Sequence, residues 1–131
     1  MIGLDTNVVV RYVMQDDPGQ SAKATELIES LTEDRPGFIG LVSVIELYWV
    51  LTSCYRLSDD QAKEALTLLL RARQIIVDCA EQVERALRMF APGRADFADC
   101  VITCVAASAS CQQTLTFDVK AARHAGMALI R

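Results

Sequence analysis

The sequence predicts an α/β domain in three layers, with helices on both faces of a central, mostly parallel sheet. Short apolar segments alternate with longer amphipathic ones along the chain, the pattern of repeated strand–helix units. The short segments are apolar at consecutive positions, as expected of strands covered on both faces. Two of them run straight into an acid, Asp5 and Asp118, and parallel sheets of this kind take their ligands beyond the carboxyl ends of their strands.

The elements follow in order. Residues 2–4 read as a buried strand ending at Asp5, and residues 7–13 as a short helix. Asp16-Asp17-Pro18-Gly19 breaks it: Asp17 can cap the next helix and Pro18 suits its first turn. That helix carries an apolar face of Ala22, Leu27, Ile28 and Leu31. After the turn at Arg35-Pro36-Gly37, residues 38–42 resemble a strand. Ser43-Val44-Ile45-Glu46 has the form of a capping box and opens a helix to about Tyr55. Ser58-Asp59-Asp60-Gln61 opens another, to about Arg73, and the short connection makes the two a hairpin. Residues 75–77 form a strand candidate, residues 81–90 a helix, and Ala91-Pro92-Gly93 its stop. Asp96 starts a helix to about Ser110. Residues 114–117 form a strand ending at Asp118, residues 119–124 a short helix, Gly126 a turn and residues 127–130 a last strand.

With 131 residues, 52% of them hydrophobic and 23% charged, the chain suits a single domain, 1–131, with a sizeable core. No run reads as a membrane span and the start does not read as a signal peptide, so the expected location is cytoplasmic. Five cysteines, an odd number, argue against a full disulfide framework. They read as small apolar core residues more readily than as a zinc site built from Cys100, Cys104 and Cys111. The formal charge of −4 counts against a protein that coats nucleic acid with a basic surface. It leaves room for clustered acids that handle phosphate with the help of arginines, which make up ten of the thirteen basic residues.

Asp5, at a strand's exit, can face a cleft or simply cap the following helix. Glu46 can complete its capping box; in a segment otherwise apolar from Val44 to Leu51 it is expected to lie against protein, where an unpaired carboxylate is costly and a cation would help. Asp96 and Asp99 share one face of a first helical turn, Asp96 as cap or as a further metal contact. Asp118 ends a strand, and Thr116 lies on its side of that strand, able to meet the metal's water shell or a phosphate. Two carboxylates about 4 Å apart repel by roughly 4 kcal/mol at an effective dielectric of 20, so a cleft collecting several needs protons or a cation. Oxygen donors without His or Cys suit Mg²⁺ or Mn²⁺. Such an ion orients water and offsets charge building at phosphorus, which favours phosphodiester hydrolysis.

Taken together, Ile2-Gly-Leu-Asp5-Thr6-Asn7, Ser43-x-x-Glu46-Leu47, Asp96-Phe97-Ala98-Asp99 and Thr116-Phe117-Asp118 resemble the PIN-domain ribonucleases, and in particular the VapC-like toxins of bacterial toxin–antitoxin pairs. The resemblance covers essentially the whole chain. It implies a Mg²⁺- or Mn²⁺-dependent endoribonuclease acting on single-stranded or looped RNA such as transfer or ribosomal RNA, a homodimer, and inhibition by a small cognate antitoxin. By the same resemblance Asp5, Glu46, Asp99 and Asp118 are the catalytic and metal-holding quartet and Asp96 an additional acid. Thr6, Asn7 and Ser43 would orient water.

Among the arginines, Arg94, just before the Asp96–Asp99 turn, and Arg11 are the candidates for RNA contact. His124, the sole histidine, reads as a helix-end residue. Tyr48, Trp49, Tyr55 and the run from Leu68 to Leu70 leave the helical hairpin apolar on more than one face, as a homodimer or antitoxin surface would. A haloacid-dehalogenase-like phosphatase would need an acid where Asn7 stands. A receiver-like module gives Glu46 no role, and a PIN fold kept only for RNA binding or assembly would not need the acids.

Overall fold

A computed structural model describes residues 1–90 and 94–131; the expected helix stop at Ala91-Pro92-Gly93 lies outside the described residues. The described chain divides into two compact units, Met1–Asp78 and Cys79–Arg131.

In the first unit the order is β1 (Ile2–Gly3), α1 (Thr6–Met14), α2 (Pro18–Ser30), β2 (Gly37–Ile39), α3 (Leu41–Trp49), a π-helical turn (Val50–Cys54), α4 (Asp59–Arg71) and β3 (Ile75–Val77). The strands form one parallel sheet in the order β1-β2-β3, with Ile2 opposite Gly37 and Ile39 opposite Val77. Gly37 has no room for a side chain: a Cβ there would lie 2.8 Å from side-chain carbons of both Leu4 and Leu31. Ile28, Ile39, Val9, Val44, Leu47 and Leu51 are all but fully buried. Local chemistry starts two of these helices as the sequence suggests. The Asp17 carboxylate accepts the Gln20 amide at 3.0 Å, with Pro18 in the first turn. Ser58 and Gln61 form a reciprocal capping box, at 3.1 and 2.9 Å.

The region around Gly40 departs from expectation. β2 stops at Ile39 and α3 already starts at Leu41, so Val42, expected in a strand, is helical and 81% exposed. The cause is long-range. Pairing with β3 ends at Ile39↔Val77, the Asp78 amide donates to the Ile39 carbonyl at 2.8 Å, and the Asp78 carboxylate accepts the Leu41 amide at 3.3 Å. The expected helix to Tyr55 is α3 continued by the π-helical turn, closed by a Tyr55 amide to Val50 carbonyl bond of 3.1 Å.

The second unit contains α5 (Ala80–Met89), α6 (Phe97–Ser108), β4 (Leu115–Thr116), α7 (Val119–His124) and β5 (Ala128–Leu129). β4 and β5 pair in parallel, Leu115 opposite Ala128, with α7 as their connection. Phe90 and Phe97 meet edge to face, 6.2 Å between centroids. Gly126 turns the chain into β5 at φ +73°, a left-handed conformation that glycine adopts without strain. Cys100 and Cys104 are buried as expected, and burial pushes the Cys100 thiol up to about 11; Cys54 and Cys111 are instead exposed. Every strand pair among the described residues is parallel. No helix among them is long and apolar enough to cross a membrane.

Candidate active site

In the first unit, Asp5 follows β1 and precedes α1. The Leu4 amide donates to the Phe38 carbonyl at 2.8 Å, so sheet pairing runs up to the residue before it. Asp5 is exposed and its carboxylate accepts no amide of α1; only its backbone carbonyl does, from Val8 and Val9. The capping alternative for this side chain is therefore not the one adopted. Thr6 beside it is buried, 3% exposed, and Asn7 is exposed.

Glu46 lies within α3 and is exposed, contrary to the expectation that it would sit against protein. Ser43 is inside the helix, whose cap position is Gly40, so Ser43-x-x-Glu46 is not a capping box. Both corrections follow from the early start of α3. A solvated carboxylate carries no burial cost, and that argument for a cation at Glu46 falls away.

The second unit gathers three acids at helix beginnings. Asp96 caps α6, its carboxylate accepting the Ala98 amide at 3.1 Å. Asp99 sits in the first turn of the same helix and is partly buried. Asp118 caps α7, accepting the Lys120 amide at 2.9 Å, while its own amide donates to the Thr116 hydroxyl oxygen at 3.0 Å. Asp99 shows the effect of this grouping: its carboxyl is held above the usual aspartate range, first by burial and then by the charges of Asp96 and Asp118. A carboxylate crowded by like charges is stabilised by a hard cation, and all three donors are carboxylate oxygens. Among the described residues, no group of three or more His, Cys, Asp or Glu side chains is arranged as it would be around a metal ion.

The PIN-domain family model matches residues 2–127. The chain belongs to the PIN-domain family. No curated protein matches it. Membership makes the chain a homologue of the PIN nucleases and carries the three-layer α/β/α class with a mostly parallel sheet, in agreement with the parallel pairings in each unit.

In this PIN chain Arg11 is engaged within its own unit. Its guanidinium donates to Gln20 at 2.8 Å, to the Tyr55 hydroxyl at 2.9 Å and to Asp16 at 3.3 Å, and the Tyr55 hydroxyl donates to Asp16 at 2.7 Å. Arg94 is exposed, two residues before Asp96. His124 is exposed at the end of α7. Sequence reasoning passed over Asp78, a further acid directly after a strand. The apolar triplet Ile75-Ile76-Val77 before it is the same signal that marked Asp5 and Asp118. Here the acid serves the start of α3.

Proposed function

We propose that this PIN-domain protein is a Mg²⁺- or Mn²⁺-dependent endoribonuclease and the toxin of a VapC-like toxin–antitoxin pair. The observation that carries the hydrolytic reading is Asp99, crowded by Asp96 and Asp118 in a chain matched by the PIN family model over residues 2–127.

In this reading Asp5, Asp99 and Asp118 hold one or two divalent ions, with Asp96 as a further ligand. When bound, such an ion supplies positive charge to the phosphate and its leaving oxygen. Glu46 is a further ligand, or accepts on its carboxylate the proton of the attacking water; its exposure suits proton exchange with solvent. Water attacks phosphorus, the 3′ oxygen leaves, and the products carry 5′-phosphate and 3′-hydroxyl ends. Thr6, Asn7, Ser43 and Thr116 orient water, and Arg94 meets the RNA backbone. The existing partners of Arg11 make it the weaker RNA contact.

The partners proposed are RNA, a cognate antitoxin and a second copy of the chain. Support comes from Trp49 and Leu68, 59% and 61% exposed, and from a groove of about 570 Å³ in the first unit whose lining includes Tyr12, Val13, Ala65, Leu68 and Leu69. A helix laid on such a surface would cover its apolar side chains. Monomeric elution of the purified chain without antitoxin would contradict the homodimer.

The test is incubation of the purified protein with total cellular RNA in Mg²⁺, Mn²⁺ or chelator, followed by mapping of fragment ends. Cleavage that needs the ion and leaves 5′ phosphates supports the reading. RNA binding without cleavage would make the chain an RNA-binding or assembly module instead, and a covalent aspartyl-phosphate would point to a phosphatase.

A further inference from the structure

We propose that Phe117 is a base-stacking residue, whose ring takes the face of an unpaired RNA base next to the phosphate handled by Asp118. The inference rests on the endoribonuclease reading for its substrate and adds a residue that positions it. Phe117 is 81% exposed, the most exposed aromatic side chain among the described residues, although an apolar strand end would ordinarily be expected to turn such a ring inward.

The backbone that carries the ring is also held in place. On either side of it, the Asp118 amide donates to the Thr116 hydroxyl oxygen at 3.0 Å, the Lys120 amide to the Asp118 carboxylate at 2.9 Å, and the Ile130 amide to the Thr116 carbonyl at 2.8 Å. An aromatic ring on a backbone fixed by three hydrogen bonds loses little freedom on binding. Leu115 and Val119 flank it, at 55% and 51% exposure, and the exposed Lys120 lies three residues on. Proteins hold single strands with exposed rings and cations: a ring takes a base face and a cation a phosphate. The positive charge of Lys120 suits a nucleotide, with its apolar base and anionic backbone, better than the apolar surface of a second protein.

The experiment uses the full chain in chelator, where cleavage is not required, with a single-stranded RNA oligomer carrying one 2-aminopurine. Wild type should bind and change the 2-aminopurine fluorescence. Phe117→Ala should bind about tenfold more weakly and lose that change, while Phe117→Trp retains both. Thermal melts of both variants check that the fold is kept. With Mg²⁺ or Mn²⁺ present, Phe117→Ala should raise KM and leave kcat within about twofold. Unchanged affinity and fluorescence in Phe117→Ala overturns the proposal. So does absence of binding by wild type, or a variant that alters only the elution size, which would assign the ring to contact between copies. A wild type that shows the Phe117-dependent signal yet cleaves nothing would sink the nuclease reading and leave stacking in place. Cleavage indifferent to Phe117 would do the reverse.

Discussion

In the unit Met1–Asp78, Asp5 leaves β1 with a carboxylate that takes no amide of the helix it precedes. In the unit Cys79–Arg131, Asp96 and Asp118 each accept a helix amide and add their charges to the burial that raises Asp99. In sequence Asp5 and Asp118 look alike, each an acid straight after a short apolar strand. In the folded chain one serves local structure and the other does not. An acid that leaves its nearest amides unused is the better evidence of a role beyond folding, since capping is what such a position ordinarily provides.

The sharpest way to break that contrast is Asp5→Asn. Cleavage of single-stranded RNA in Mg²⁺ or Mn²⁺ should fall by about 10²- to 10³-fold. The urea-unfolding free energy should move by less than about 0.5 kcal/mol, because no cap bond is lost. Asp96→Ala should do the converse in the second unit, costing about 1 kcal/mol in urea melts through loss of the Ala98 amide's acceptor. Asp96→Asn, which keeps an acceptor, should cost much less.

A comparable loss is expected in the first unit from Tyr55→Phe. Removing the hydroxyl that joins Arg11 to Asp16 should cost about 1 kcal/mol with cleavage unchanged, marking that network as structural. The smallest effect concerns Asp99. Its carboxyl titration, followed by ¹³C NMR, should lie above the ordinary aspartate range and move down in Asp96→Asn. Since its folded pKa is raised, its contribution to stability is fully present below the unfolded pKa and declines as pH rises through the folded value. The decline should stay under about 1 kcal/mol, because solvent screens the group.

What the sequence made legible was local. The Asp17 cap with Pro18, the Ser58–Gln61 box and the order of strands and helices depend on residues a few positions apart. So does the placing of Asp96 as a cap and Asp99 in the turn after it. What it hid depended on distant partners. β2 ends at Ile39 because β3 ends at Val77, and that moved the start of α3, turned Ser43 into an interior helix residue and exposed Glu46. The π-helical turn at Val50–Cys54 left no mark among its apolar neighbours, and the outward placing of Phe117 contradicts the plain pattern of a buried strand end. That Asp96 and Asp118 both act on Asp99 follows from the way the end of α7 meets α6, where the Thr103 hydroxyl donates to the Ala125 carbonyl at 2.7 Å, which no spacing along the chain encodes.

The proposed nuclease function requires Asp5, Asp99 and Asp118 to serve a common divalent ion. Mn²⁺ affinity, read from the electron paramagnetic resonance signal of free Mn²⁺, tests it without reliance on activity. Asp5→Asn and Asp99→Asn should each weaken Mn²⁺ binding at least about tenfold relative to wild type, as loss of one ligand should. Asp5→Asn binding Mn²⁺ as tightly as wild type would contradict it.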